Sequence, residues 1–97
     1  MTDFISENDP LDKQRRRLVF RAWHRGIKEM DLILGQYVDK YVHQMNEETI
    51  KEMEFIMSFE DRDLLTWVTG EVASPETINT PLFQDIIDYR FRMDFTN

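Results

Sequence analysis

Cysteine is absent from these 97 residues. That removes a disulfide framework, a thiolate zinc site and a thiol nucleophile together, and it fits a reducing compartment. Long apolar runs are missing as well, since no stretch approaches the roughly 20 residues that a membrane-spanning helix needs. Only three glycines and three prolines occur, with no glycine-rich phosphate loop and no Gly-x-Ser-x-Gly elbow. No internal repeat and no low-complexity tract is visible. Strand signals are equally scarce: nothing alternates apolar and polar residues for long, and no Asn-Gly or Asp-Gly pair separates β-branched runs.

What is present is helical spacing. Apolar content of 41%, with 12% aromatic residues, describes a compact globule rather than a disordered chain. At this length one domain buries only about 60–65% of its unfolded surface, so the core is small, and the six methionines suit adaptable packing within it. Leu11, Leu18, Val19 and Ala22 share one stripe, leaving Arg15, Arg16 and Arg17 around the exposed side. Ile27, Met30, Leu34, Tyr37, Val38, Tyr41 and Met45 follow steps of three and four. Gly35 interrupts that stripe at a cost of about 1 kcal/mol against alanine, which points to a bend or a close helix crossing. Asn46 reads as an N-cap before the stripe Ile50, Met53, Met57. Asp61 reads as the cap of a helix carrying Leu64, Leu65, Trp67 and Val68, which Gly70 ends. Ser74-Pro75 and Thr80-Pro81 both read as a cap followed by proline at the first helical position, the second leading into Leu82, Ile86, Ile87 and Tyr89. The fold expected is all-α, a small bundle of about five short helices. Residues 1–10 read as a flexible acidic tail and 11–97 as a single helical domain. The tail has neither the form of a secretory signal nor that of a transit peptide, so a cytoplasmic protein is expected.

Charge is unevenly spread. Pro10 to Lys28 holds seven Lys/Arg and one acid, Asp12, a net of +6 against −7 for the whole chain, which leaves −13 elsewhere. Such a patch is commonly a solvated helix face, and it also steers a protein toward an acidic partner. Nucleic acid is disfavoured, because the basic run lacks interleaved exposed aromatics and the acidic bulk repels phosphate.

Chemistry-bearing residues are sparse. His24 and His43 lie nineteen positions apart, without the i,i+4 spacing of a helical metal pair or a nearby cysteine, so no metal is expected. Glu29 and Asp31, two apart on a helix, point in different directions. General acid or base work needs a pocket that excludes water, which a core this small does not favour. Trp23 and Trp67 read first as core anchors, with Trp67 the deeper. The concentrated run is Trp23-His24-Arg25-Gly26-Ile27-Lys28-Glu29-Met30-Asp31, where charge lies beside bare backbone at a helix junction. If the second helix starts at Gly26, Glu29 occupies its third position, where it caps amides or pairs with Arg25 at i,i+4. Capping and function are both open for Glu29, and Gly26 either ends the first helix or lets a partner's backbone approach closely.

Arg25-Gly26-x-x-Glu29-x-Asp31, followed by an apolar helix and then by an acidic helix start leading to Asp63-Leu64-x-x-Trp67, resembles the succinate dehydrogenase assembly factors that promote covalent flavinylation. The likeness runs from about Leu18 to Phe91. It implies a monomeric helical chaperone, not an enzyme and without a cofactor of its own. Such a chaperone binds the immature flavoprotein subunit of succinate dehydrogenase, where the flavin 8α-methyl carbon becomes bonded to a histidine of that subunit. The fumarate reductase flavoprotein is a further candidate client. By this resemblance Arg25, Gly26 and Glu29 form the client-contacting motif, with Asp31, Trp23 and His24 beside it. Gly26 would permit close approach, Glu29 would accept hydrogen bonds and Arg25 would donate to client carbonyls or carboxylates. Trp23 and His24 depart from the Arg- or Lys-rich lead-in of many relatives, and Ile27 stands where methionine is frequent. Mitochondrial relatives carry an import segment that this chain lacks, so a bacterial cytoplasm is expected. Two other classes remain: a helical adaptor whose basic first helix binds an acidic protein, and a nucleic-acid module, which steep salt dependence would reveal.

Overall fold

The computed structural model describes residues 10–93. Helix α1 spans Pro10–Trp23, α2 Lys28–Tyr41, α3 Glu47–Met57, α4 Asp61–Thr69 and α5 Pro81–Arg92, with one 3-10 turn at Val42–Gln44 after α2. Among the described residues there is no strand, so the all-α bundle of five helices expected from the spacing is the fold. The expected acidic tail lies outside the described residues apart from Pro10, which opens α1. None of the described helices is long and apolar enough to cross a membrane.

Helix α2 is central and touches α1, α4 and α5. Its buried positions Met30, Ile33, Leu34, Tyr37 and Val38 repeat at three and four residues, giving a stripe wide enough to face more than one neighbour. Leu18 and Ala22 from α1, Ile50, Met53 and Ile56 from α3, Leu64 and Val68 from α4, and Phe83 and Ile86 from α5 close the core around it. The Tyr37 hydroxyl donates to Asp85 Oδ2 at 2.6 Å, which ties α2 to α5. Burial, reinforced by that carboxylate, pushes the Tyr37 phenol far above its ordinary range. Tyr37, Tyr41 and Tyr89 pack against one another, with ring centroids 4.8–6.2 Å apart.

Helix ends follow local chemistry. Asn46 Oδ1 accepts the Thr49 amide at 2.9 Å, so α3 has the expected side-chain cap. Gly70 ends α4 at φ 83, where a side chain would be strained. Thr80 accepts from the Phe83 amide at 3.3 Å ahead of Pro81.

Four expectations need correction. The segment after Ser74-Pro75 forms a turn instead of a helix; the amides of Ile78 and Asn79 both bond the Pro75 carbonyl. Pro81 holds the preceding residue extended, as Thr80 is at φ −112, ψ 168, so the segment has room for one turn, which buries Ile78. Arg15 is not on the solvated face: its side chain is 16% exposed and its Nη2 donates to the Met45 carbonyl at 2.8 Å. Helix α2 begins at Lys28, with Ile27 at the N-cap, so Glu29 is its second residue instead of its third. Asp61 is the first residue of α4, not its cap, and its carboxylate serves another part of the chain.

Gly35 marks a close crossing. A Cβ at that position would overlap the Trp23 indole, so the last residue of α1 reaches the α2 backbone itself. The Trp23 indole N–H then donates to Asp39 Oδ2 at 2.9 Å, one turn further along α2.

Candidate functional site

Between Trp23 and Lys28 the chain turns from α1 into α2 with no hydroxyl, amide or carboxylate at the N-cap, because that residue is Ile27. The turn's amides therefore need oxygens from elsewhere. Two carboxylates supply them. Asp31, within the first turn of α2, accepts the Arg25 amide at 2.5 Å. Asp61 Oδ2 accepts the amides of Gly26 at 2.5 Å and Ile27 at 3.2 Å.

The other oxygen of Asp61 takes the Arg25 side chain. Arg25 Nε donates to Asp61 Oδ1 at 2.6 Å, Nη1 to the Met57 carbonyl at 2.7 Å and Nη2 to the Phe59 carbonyl at 2.9 Å. The guanidinium thus sits on the carbonyls where α3 ends, which carry no intrahelical partners and the negative end of the helix dipole. The carboxylate sits at the positive end of α4. Both side chains are largely buried, 13% and 12% exposed, so the pair welds the α3–α4 junction to the underside of the α1–α2 turn.

This arrangement divides the motif that the sequence singled out. Arg25 and Asp31 turn inward and hold the turn. Arg25 pairs with Asp61, not with Glu29, and its donors are directed to the chain's own acceptors instead of outward. Gly26 is exposed and Glu29 half-exposed; among the described residues no hydrogen bond or ion pair engages the Glu29 carboxylate. A Cβ on Gly26 would lie 3.4 Å from Asp61 Oδ2, an ordinary contact, and its φ is not positive. Nothing within the fold therefore demands glycine here.

Trp23 is half-buried against Gly35, as is Trp67 against Phe59, at 5.4 Å between centroids. His24 is exposed; its Nδ1 lies 2.7 Å from the Phe20 carbonyl, which can only accept, so Nδ1 carries the hydrogen. Its ring stacks on Phe20, with centroids 4.1 Å apart. His24 and His43, far apart in sequence, line one groove between α1 and the end of α2. Among the described residues no group of three or more His, Cys, Asp or Glu is placed to hold a metal ion.

Sequence reasoning named Asp61 but gave it the wrong task. The signal was available in Ile27, a side chain that cannot cap, at the head of a helix whose turn still has amides to satisfy. Phe20 and His43 as neighbours of the motif had no such signal, since their proximity depends on how α1 crosses α2.

Comparison with known proteins matches residues 16–90 to the family described as the flavinator of succinate dehydrogenase. The chain is 36% identical over 80 residues to the FAD assembly factor SdhE of Acetobacter pasteurianus, an alignment covering 82% of this chain and 73% of that one. It is 42% identical over 62 residues to the mitochondrial succinate dehydrogenase assembly factor 2 of Saccharomyces cerevisiae, covering 64% and 38% of the two chains. Identity to the Arabidopsis thaliana protein of the same name is 35% over 80 residues, covering 81% and 43%. The match thus spans less than half the length of these two mitochondrial relatives. With the family's pattern running through the bundle from α1 to α5, the chain belongs to the family of succinate dehydrogenase flavinators.

Proposed function

We propose that this protein is an assembly factor that binds the immature flavoprotein subunit of succinate dehydrogenase and promotes covalent attachment of FAD to it. The observation that carries the reading is the α1–α2 turn. Arg25, Asp31 and Asp61 satisfy it from behind, and Gly26 and Glu29 are left outward on a surface that the fold does not use. A surface already held in one shape loses little freedom on binding, so more of its contact energy appears as affinity. In this reading Gly26 lets the client's backbone come close, Glu29 accepts the client's hydrogen bonds, and His24 and Trp23 flank the contact.

The factor contributes no catalytic side chain. Aligning the flavin and the client's histidine is enough to accelerate bond formation, since orientation alone can remove several kcal/mol from a barrier. Action as a monomer in the bacterial cytoplasm, with the fumarate reductase flavoprotein as a second client, belongs to the same reading. Support for the compartment comes from the Acetobacter relative.

The test is the flavin fluorescence of the denatured flavoprotein subunit after gel separation, from cells with this gene intact, deleted or replaced by Gly26→Leu. Signal only with the intact gene supports the function and its location on the turn. Full signal in all three would leave a helical adaptor that binds an acidic partner through α1.

A further inference from the structure

Helix α2 starts behind a residue that cannot cap it, and the oxygen that takes over this task belongs to another helix. Asp61, the first residue of α4, lies 34–36 positions along the chain from its three donors. Its oxygens divide the work: Oδ1 accepts from Arg25 Nε, while Oδ2 accepts the amides of Gly26 and Ile27. The guanidinium has two further acceptors, the Met57 and Phe59 carbonyls. The two amides have no other acceptor among the described residues. Ile27 is also held by its side chain, which packs against the core. Gly26 has no side chain and is exposed, and glycine is the residue whose backbone has the most freedom when nothing holds it. Asp31 secures only the neighbouring Arg25 amide. Loss of Asp61 would therefore leave Arg25 partly satisfied and Gly26 released.

We infer that Asp61 is a positioning residue for client recognition: by holding the Gly26 and Ile27 amides, its Oδ2 keeps Gly26 and Glu29 in the relative placement that the client flavoprotein binds. The inference rests on the reading given under Proposed function and adds to it a residue outside the turn. Asp61 does not touch the client; its three printed donors all belong to its own chain. A turn released at Gly26 must be ordered again on binding, and fixing one residue's backbone costs a factor of roughly 5–30 in the equilibrium. Recognition needs the acceptor at this position and not the charge. An asparagine can place its one oxygen on the two amides and turn its NH2 toward Arg25 Nε, a donor against a donor, while the guanidinium keeps the Met57 and Phe59 carbonyls. Asp61→Asn therefore loses stability but keeps the turn, whereas Asp61→Ala loses both.

Binding and hydrogen exchange, measured side by side, separate this inference from the reading beneath it. Purified, flavin-free succinate dehydrogenase flavoprotein subunit is titrated with the full chain as wild type, Asp61→Ala or Asp61→Asn, with and without trimethylamine N-oxide. Exchange rates of the Gly26 and Ile27 amides are measured in the free proteins. The osmolyte favours the folded state but supplies no acceptor to the turn, so it rescues a variant that is merely unstable. Slow exchange at both amides is expected in the wild type and in Asp61→Asn, and fast exchange in Asp61→Ala. The alanine variant should bind roughly 5–30-fold more weakly, with the osmolyte as without it, and Asp61→Asn should bind nearer to wild type than to alanine. Four results would overturn the positioning role and leave the function standing: fast exchange of both amides in the wild type, wild-type affinity in Asp61→Ala, affinity of Asp61→Ala restored by the osmolyte, or Asp61→Asn as weak as Asp61→Ala with its amides still protected. A wild-type protein that does not bind the subunit would overturn both.

Discussion

The Trp23 indole lies against the backbone of Gly35, close enough that a single methyl group on Gly35 would overlap the ring. Helix α1 therefore ends on α2 without an intervening side chain, and the α1–α2 turn begins from that fixed point. Gly35→Ala gains about 0.5–1 kcal/mol of helix propensity but forces Trp23 off its seat, at about 1–3 kcal/mol. A net loss of stability in urea unfolding, with a shift in tryptophan emission, is expected; a more stable variant would show that the indole moves aside freely.

Arg25 and Asp61 should behave as partners within the fold. Each side chain is nearly as buried as a core residue, and removing one leaves the other's charge unmatched. Arg25→Ala and Asp61→Ala should each lower unfolding stability by roughly 2–4 kcal/mol, and the double variant should lose clearly less than the sum. An Arg25→Ala protein of unchanged stability that nevertheless failed in flavinylation would place the guanidinium on the client.

Gly26→Ala should do the reverse. Its added Cβ meets Asp61 Oδ2 at 3.4 Å with no positive φ to strain, so stability should change by less than about 0.5 kcal/mol while client binding falls. Helicity and denaturation midpoint, measured beside a pull-down of the flavoprotein subunit, check both halves. Loss of the fold would return Gly26 to a purely structural role.

Glu29→Gln keeps shape and removes charge. As the second residue of α2 the carboxylate favours the helix dipole by about 0.3–1 kcal/mol, and it makes no cap bond. A small stability change accompanied by a larger loss of client affinity is expected. Equal small changes in both would assign Glu29 to the helix alone.

Alkaline pH should unfold the protein through Tyr37. Its phenol is held neutral by burial and by Asp85, with a folded pKa raised well above the ordinary 10.0. Below that ordinary value both states are protonated and stability is level; above it the unfolded chain loses the proton first, so stability falls as pH rises. Tyr89, also shifted upward, chiefly by burial, adds to the slope. Tyr37→Phe should cost about 1 kcal/mol at neutral pH for the lost hydrogen bond and flatten the alkaline limb. An unchanged limb would exclude Tyr37 as its source.

Helix number and the core stripes were legible in the sequence because a period of three and four residues is a local property. Asn46, Gly70 and Thr80 announced their caps for the same reason. Ser74-Pro75 misled because a start signal carries no information about the Pro81 that stops the helix six residues later. The turn motif was visible as a cluster, but not its division into inward and outward members. That division depends on where the α3–α4 junction comes to rest; within residues 23–31 only Ile27, which cannot cap, signals that an oxygen must come from elsewhere, and it does not say that the oxygen is that of Asp61.

Three bonds from Asp61 span the distance between the first and second halves of the chain. Until α3 and α4 have assembled against α1 and α2, the amides of Gly26 and Ile27 have no carboxylate to meet, and only Asp31 and the seat of Trp23 on Gly35 hold the turn. If the turn is the client-contacting surface proposed above, recognition doubles as a checkpoint on the protein's own maturation, because a copy without the Asp61 bonds carries the motif's residues but not its shape.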